Sequence, residues 1–265
     1  NIDKNKNLLI YPKMFMFPQG ISKSEVYLFS ILIWTSCTKN SKIDCPYILD
    51  GIIYTGIDQK YSRDKKQHKL PILKFKPPTT NSLDVYIRFQ KNKETNNYMD
   101  IYDNSLPDAI KDVHYRVTNF FVGETSGNKE VPVPFMPNEN NDQALLQIVN
   151  GNVRDVKGEL VQDNTVVEIT YDVDSNLPHQ YKWKVLRTRW DKTESVLRDN
   201  KKYGNYSDTA IKVWRSIKES VTMEEVKNLS TEQNYNTQIK ILASRIDSSV
   251  ISASKEQDIY YQKIS

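Results

Sequence analysis

The sequence predicts an α+β protein in which helices flank a region of short β-strands. Three observations support this prediction. An apolar run at 26–34 follows a helix-start signal, short apolar segments alternate with turn-rich stretches over 113–190, and helical spacing returns after Tyr203. Short strands separated by polar breaks favour a small β-barrel or sandwich in the middle of the chain.

The composition is that of a folded protein without a disulfide framework. Its 265 residues, 38% of them hydrophobic, can form one large domain or two modest ones. The net charge of +4 suits a polyanionic partner, although so mild an excess is also common in proteins that never meet nucleic acid. Cys37 and Cys45 are the only cysteines, too few for a usual structural zinc site, so we expect a reducing compartment.

The first element is a predicted helix. Ser22 and Glu25 have the spacing of a capping box, and apolar residues then follow on nearly every side, so we expect about three helical turns buried in a domain. The run is far shorter than the roughly 20 residues of a membrane-spanning helix, and we expect no membrane partner. Short core strands are predicted at 52–54 and 72–73, joined by a polar loop over 61–69.

The middle of the chain has the pattern of β-structure. Alternation over 83–89 predicts a strand with one buried face, and 91–98 is predicted to be a polar loop. Turns are expected over 123–128 and 132–141. Further strands are predicted over 115–122, 145–149, 166–171 and 181–188.

Helices are predicted after Tyr203. Ser207 can cap a helix, and Thr222 with Glu225 offers a second capping box. From Ser230 onward apolar residues are sparse, which predicts a linker-like segment with a possible helix. The apolar positions of the first of these helices recur on one face, at Ala210, Val213, Trp214 and Ile217.

Two short motifs near the predicted core strands could bind a nucleotide. Asp50-Gly51 directly precedes a strand, which would place a carboxylate at a sheet rim where it could bind a hard cation, although Asp-Gly is also a common turn. Strand alternation puts Lys74 and Lys76 on one face. Two ammonium groups there suit nucleotide phosphates, or they protect an exposed edge strand.

A third motif, at 183–192, concentrates basic groups around a carboxylate at the end of a strand. Arg187 and Arg189 would project together if the strand continues that far. Guanidinium groups bind phosphate oxygens bidentately, so these arginines and Lys192 suit a polyphosphate, with Asp191 orienting one arginine. A solvated charge cluster is the alternative.

In this order and spacing the motifs resemble those of the covalent nucleotidyltransferases, the superfamily of mRNA-capping guanylyltransferases and polynucleotide ligases. Residues 50–53 are similar to motif IV, 73–77 to motif V and 187–192 to motif VI. Asn81-Ser82-Leu83-Asp84 resembles the Asn-Thr-Ile-Asp segment of capping enzymes, which favours them over ligases. The resemblance is strongest to the multidomain capping enzymes of large cytoplasmic DNA viruses.

The resemblance implies a domain organisation. Residues 1–90 would be the C-terminal part of an ATP-grasp/ligase-like nucleotidyltransferase domain, 91–202 an OB-fold β-barrel, and 203–265 a helical segment leading toward a cap guanine-N7 methyltransferase domain. The upstream half of the nucleotidyltransferase domain would complete the site. The implied location is the host cytoplasm, in a viral factory, or the virion; the absence of a signal peptide agrees with an intracellular protein.

The resemblance also implies an activity. A lysine attacks the α-phosphate of GTP with the help of Mg²⁺ or Mn²⁺, and the resulting lysyl-GMP passes GMP to the diphosphate 5′ end of RNA. By this resemblance Asp50 would help to place the metal, and Lys74 and Lys76 would hold the α-phosphate. The basic side chains of motif VI would contact the β- and γ-phosphates.

The chain departs from the family pattern in two places. Ile48 stands where the Lys-x-Asp-Gly motif of the family requires the nucleophilic lysine, so we expect the nucleophile upstream of Asn1 and no lysyl-GMP formation by this chain alone. Thr193 and Glu194 follow motif VI, where many cellular capping enzymes carry Pro-Asn.

Two other functions are open at this point. The chain could be a fragment of an ATP-dependent polynucleotide ligase, which shares motifs IV to VI. It could also be a noncatalytic OB-fold subunit that binds RNA through a basic groove and aromatic platforms. His68, His114 and His179 are too scattered to predict a metal site or a catalytic base.

Overall fold

The computed structural model describes residues 13–38, 49–59, 72–102, 106 and 113–245. The chain divides into two compact units: the first contains 1–76 and 221–265, and the second contains 77–220. The loop predicted over 61–69 lies outside the described residues.

Helices and strands are largely segregated along the chain, as in an α+β fold: one α-helix precedes the described strands and four follow them. The helices are α1 (Glu25–Thr38), α2 (Trp190–Asp199), α3 (Ser207–Lys218), α4 (Met223–Asn228) and α5 (Glu232–Arg245). The strands are β1 (Ile52–Tyr54), β2 (Leu73–Phe75), β3 (Leu83–Phe89), β4 (Asp100–Tyr102), β5 (His114–Ser126), β6 (Lys129–Pro134), β7 (Gln143–Val149), β8 (Asn152–Val153), β9 (Val166–Tyr171) and β10 (Trp183–Thr188).

The first unit is built around one antiparallel strand pair. Ile52 of β1 pairs with Phe75 of β2, and both side chains are buried together with Val226 of α4. Trp34 of α1 packs edge-on against Phe75, with ring centroids 6.0 Å apart. This small core fixes the end of β2, where Lys74 and Lys76 lie.

Helix α1 forms where the sequence predicts it, but it is not the buried helix that was expected. Leu28 and Leu32 are each 43% exposed, because α1 packs on the β1–β2 pair and α4 with one face. The capping box is also absent: the Glu25 carboxylate accepts backbone N–H groups of Gln19 and Gly20 at 2.9 and 3.0 Å. No helix among the described residues is long and apolar enough to cross a bilayer.

The second unit is an antiparallel sheet in the strand order β10-β9-β3-β5-β7-β8. The long strand β5 changes partners along its length. Along one edge it pairs first with β4 and then with β3, and along the other edge it pairs first with β7 and then with β6. The exchange of partners on both edges curls the sheet, which agrees with the predicted region of short strands.

Strand β3 groups with the second unit. It lies between β9 and β5 in the sheet, and this unit begins at Pro77, whereas the predicted domain boundary follows residue 90. The prediction that β3 buries one face is wrong. Leu83, Val85 and Ile87 enter the main core, while Tyr86 on the opposite face packs against Tyr203 with ring centroids 5.3 Å apart.

The C-terminal helices are divided between the two units, whereas the sequence predicted one helical segment over 203–265. Helix α3 buries Ala210, Trp214 and Ile217 in the core of the second unit, on the predicted face, whereas α4 and α5 group with the first unit. The N-cap of α3 is Tyr206, so Ser207 is its first helical residue and does not cap it. Helix α4 has the predicted capping box between Thr222 and Glu225.

Two predicted turns are partly strand. Strand β5 continues through Ser126, and β6 follows over part of the stretch predicted as a turn at 132–141. Pro132 and Pro134 made this stretch appear irregular in the sequence. Among the described strands β6 pairs with β5 alone, and prolines are tolerated in a strand whose second edge forms no ladder.

Candidate functional site

In the first unit, one carboxylate holds two ammonium groups together. Asp50 Oδ2 lies 2.5 Å from Lys74 Nζ, and Asp50 Oδ1 lies 3.0 Å from Lys76 Nζ. The antiparallel register explains this contact, because Asp50 lies two residues before Ile52, the first residue of β1 and the partner of Phe75, while Lys74 and Lys76 flank Phe75 on the same face. The two lysines share one face, as the sequence predicted, and all three side chains remain partly exposed.

Gly51 lets β1 and β2 approach closely at this point. Its φ is +153°, and an added Cβ would collide with the carbonyl oxygen of Phe75 and lie 3.2 Å from the Lys74 side chain. The structure has no turn at Asp50-Gly51, which was the alternative for this motif; Gly51 leads directly into β1, with a φ that side-chain-bearing residues rarely adopt. A larger residue would push apart the strands that bring Asp50 to the lysines.

In the second unit, motif VI spans the end of a strand and the start of a helix. Strand β10 ends at Thr188, after an irregularity between Val185 and Arg187, and Arg189 is the N-cap of α2. Arg187 and Arg189 therefore do not project from one continuous strand, as they would if β10 ran further. Each is instead fixed by its own acidic partner.

The acidic partners are Asp84 of β3 and Glu168 of β9. Arg187 Nε donates to Glu168 Oε2 at 2.7 Å, and Arg189 Nη1 donates to Asp84 Oδ2 at 2.5 Å. The Asp84 and Glu168 side chains are 11% and 19% exposed, so the arginines are anchored on largely buried carboxylates. Ser82 Oγ donates to the second oxygen of Glu168 at 2.5 Å.

Asp84 also binds Lys192, the third cation of the motif. Lys192 Nζ lies 2.8 Å from Asp84 Oδ2 and donates to the Gly204 carbonyl at 3.0 Å. Gly204 itself has φ +90°, and an added Cβ would collide with the Asp84 carbonyl oxygen. Only glycine fits without strain where this loop meets β3.

Asp191 completes the cluster as its most exposed carboxylate. It accepts two hydrogen bonds from Arg189, one from Nε at 3.0 Å and one from Nη2 at 2.8 Å. Its side chain is 65% exposed. In this bidentate pair Asp191 orients Arg189, which is the contact that the sequence predicted between Asp191 and one arginine. The described cluster thus balances three cations against three carboxylates.

Hydrogen bonding keeps several of these carboxyl groups ionised. The bond from Lys74 lowers the pKa of Asp50, and the bonds from Arg189 lower the pKa of Asp191 to about 2. Burial raises the pKa of Glu168, but hydrogen bonds from Ser82 and Arg187 outweigh it, and the net pKa lies below its usual value. The contacts are therefore between full charges at neutral pH.

The departure from Pro-Asn after motif VI has a local structural role. Thr193 is 1% exposed, and its hydroxyl accepts the backbone N–H of Val166 at 2.9 Å. The Arg189 backbone N–H donates to the Val166 carbonyl at 2.7 Å. The two bonds tie the start of α2 to β9, the strand that carries Glu168.

Sequence reasoning missed Asp84 and Glu168 as members of the cluster. The signal was present, since each is the one acid of a mostly apolar strand, in Leu83–Phe89 and Val166–Tyr171. Single-sequence patterns gave no indication that these two strands are neighbours. His114 and His179 stay without a catalytic role, and His68 lies outside the described residues.

Comparison with known proteins places this arrangement in a family. The family model for the mRNA capping enzyme, C-terminal domain, matches residues 80–227, a range that contains the whole ion cluster of the second unit. The chain is also 33% identical over 267 residues to the probable mRNA-capping enzyme of Acanthamoeba polyphaga mimivirus. That alignment covers 99% of this chain but 22% of the relative's length. Since the matched region and the aligned relative agree, the chain belongs to the mRNA-capping enzyme family.

Proposed function

We propose that this chain provides the phosphate-binding part of an mRNA guanylyltransferase. The observation that carries the proposal is the cluster of Arg187, Arg189 and Lys192, held by the carboxylates of Asp84 and Glu168 inside the family-matched region. Three cations with fixed directions are suited to a polyphosphate, and holding them in place beforehand lowers the entropy lost on binding.

The proposed reaction is two successive transfers at phosphorus. A lysine Nζ supplied by a longer polypeptide attacks the α-phosphorus of GTP, a nitrogen–phosphorus bond forms and pyrophosphate leaves. A β-phosphate oxygen of the diphosphate RNA end then attacks the same phosphorus, forms the cap linkage and releases the lysine. Lys74 and Lys76 would neutralise the α-phosphate during both steps, while motif VI would hold the β- and γ-phosphates of GTP.

The exposure of the acids indicates which of them gives way to the nucleotide. Asp191 is 65% exposed and binds Arg189 from the solvent side, whereas Asp84 is 11% exposed. An incoming phosphate would replace Asp191 on the outer edge of the guanidinium and leave the bond to Asp84 intact. Arg189 then keeps its direction while it changes its outer partner.

Asp50 is the candidate metal ligand. Its two oxygens both contact lysine ammonium groups, and the described residues contain no group of three or more His, Cys, Asp or Glu side chains that could hold a metal ion. One carboxylate is compatible with Mg²⁺ or Mn²⁺ bound mainly through water and substrate phosphates. Bound in this way, the cation would neutralise charge on the phosphates of GTP.

The remaining parts of the proposal concern the longer protein. The second unit would act as an OB-fold lid, the first as part of a nucleotidyltransferase domain, and RNA would be the acceptor. An upstream half-domain with the lysine and a downstream cap guanine-N7 methyltransferase domain would be its partners within the polypeptide. The length of the mimivirus relative, of which this chain spans 22%, supports a multidomain protein.

The test is covalent labelling with α-labelled GTP and magnesium, using the chain alone and within the longer polypeptide, followed by denaturation. We expect stable label only in the longer protein. Lys74→Ala and Arg189→Ala should each reduce the label at least about tenfold, since each removes a charged phosphate contact. Arg198→Ala is the control, because Arg198 is 75% exposed and pairs with the adjacent Asp199.

The same experiment separates the alternatives. Label from ATP but not from GTP would indicate a polynucleotide ligase. No label from either nucleotide, with retained RNA binding, would indicate a noncatalytic subunit. Family membership supports the capping enzyme over both.

A further inference from the structure

A pocket of about 360 Å³ lies in the second unit, away from the ion cluster. It forms where the end of β9, the turns at 137–139 and 179–181, and helix α3 meet. The lining residues are Glu139, Tyr171, Val173, His179, Lys182, Trp214 and Lys218. None of them has a role in the proposed guanylyltransferase chemistry.

The aromatic wall of this pocket is rigid. Trp214 is buried, and the half-buried rings of Tyr171 and His179 pack against it with centroids 5.0 and 5.9 Å away. His179 Nε2 lies 2.8 Å from Asn141 Oδ1, and His179 Nδ1 lies 2.9 Å from the Tyr171 hydroxyl. These two contacts fix the direction of both rings.

Two ammonium groups stand over this wall. Lys182 Nζ lies 5.8 Å from the centre of the Tyr171 ring, and Lys218 Nζ lies 5.8 Å from that of Trp214. Lys218 has one acidic neighbour, Glu139, at 3.6 Å. None of the ion pairs among the described residues involves Lys182, so the pocket rim carries a net positive charge.

The combination of the half-buried Tyr171 ring and adjacent ammonium groups matches the chemistry of a nucleotide within a single strand. A base can stack on the exposed ring surface, a contact of about 1–3 kcal/mol per base in single-strand-binding proteins, while flanking phosphates meet the lysines. The volume lies in the lower part of the range for small-ligand pockets, which is enough for one nucleotide.

The pocket is separate from the polyphosphate cluster. Tyr171 lies three residues after Glu168 on β9, a rise of roughly 10 Å, and residues three apart in a strand point to opposite faces. A nucleotide in the pocket would therefore not compete with a triphosphate at Arg187, Arg189 and Lys192.

We propose that this pocket binds one nucleotide of a single-stranded RNA chain, away from its 5′ end. The inference rests on the proposed function, in which RNA is the acceptor, and extends it by naming a second contact with that acceptor. Tyr171 supplies the stacking surface, and Lys182 and Lys218 contact the phosphates on either side.

The test is the anisotropy of a 3′-labelled RNA hexanucleotide titrated with the chain. The oligonucleotide carries a 5′-hydroxyl group, so it offers motif VI no terminal phosphates. Lys182→Ala combined with Lys218→Ala should raise Kd at least about fivefold, and the slope of log K against log salt should shrink by about 1.4, as expected when two single-strand phosphate contacts are lost.

Two control variants make the same changes of charge at positions away from the pocket. Lys129→Ala combined with Lys157→Ala also removes two exposed lysines, neither of which lines the pocket, and should change Kd less than about twofold. Val173→Glu places a carboxylate at the pocket and should weaken binding, whereas Val156→Glu, at an exposed position elsewhere, should not.

The outcomes are separable from those of the labelling experiment. Equal weakening by both lysine pairs, or no binding of the hexanucleotide by the parent chain, would overturn the pocket as an RNA site. Lysyl-GMP formation in the longer polypeptide should be unchanged by the Lys182→Ala and Lys218→Ala pair. Loss of labelling in the parent protein, with hexanucleotide binding retained, would contradict the proposed function and leave the pocket assignment standing.

Discussion

Asp84 and Glu168 face each other across the β3–β9 ladder as direct register partners, and each binds a different arginine of motif VI. Like charges opposite each other destabilise a sheet. Here the pair is neutralised by Arg187, Arg189 and Lys192, so the acids and the cations stabilise each other. The ion pairs of the candidate phosphate site therefore also stabilise the fold of the second unit.

Asp84→Asn should therefore lower the stability of the protein as well as weaken its phosphate binding. The substitution removes the charge that Arg189 and Lys192 share in a largely buried position, and the free energy of unfolding should fall by about 1–3 kcal/mol. Denaturant unfolding measures the change. Asp174→Asn, at an exposed position of the same unit, should have almost no effect, and equal effects at the two positions would contradict this account.

The parts of the two sites that depend on local strand geometry were predictable, and those that depend on the order of strands in the sheet were not. Lys74 and Lys76 share a face because strands alternate with period two, and this follows from the sequence alone. The neighbours Asp84 and Glu168 are 84 residues apart in the sequence, and only the sheet order brings them together. The pattern of β3 likewise does not reveal that this strand lies between β9 and β5.

Gly204→Ala should disturb the loop that supports Lys192. Its φ of +90° already disfavours alanine, and the new Cβ would collide with the Asp84 backbone, so we expect a loss of more than about 3 kcal/mol. Gly158→Ala isolates the effect of the backbone angle, since Gly158 has φ +85° and open space around its Cβ position. That variant should lose only about 1 kcal/mol. Similar losses would show that the contact with Asp84 contributes little.

The stability of the second unit should depend on the protonation of His179. Burial, followed by the nearby Lys182 and Lys218, lowers its pKa below the ordinary 6.5. The unfolded state therefore binds more protons, so this contribution is fully present above pH 6.5 and is lost as pH falls through the folded pKa. His179→Gln should flatten the pH dependence of unfolding in this window. An NMR titration midpoint of His179 at or above 6.5 would contradict the prediction.

The two arginines of motif VI should separate phosphate binding from folding. Arg187 is 57% exposed and contacts Glu168, which keeps its bond from Ser82. Arg187→Ala should therefore weaken tripolyphosphate binding about tenfold while the unfolding free energy changes by less than about 1 kcal/mol. Arg189 is 22% exposed, and its removal leaves Asp84 with Lys192 alone, so Arg189→Ala should lose binding and about 1–3 kcal/mol of stability.

Calorimetric titration with tripolyphosphate and denaturant unfolding of the same variants measure the two effects. Arg189→Lys sharpens the test, because a single ammonium group cannot keep the contact to Asp84 and the fork to Asp191 at once. If the inner contact holds the fold and the outer edge receives the phosphate, lysine should restore most of the stability but little of the binding. Recovery of both properties together would mean that Arg189 acts only as a point charge, and the proposed exchange of Asp191 for phosphate would then be wrong.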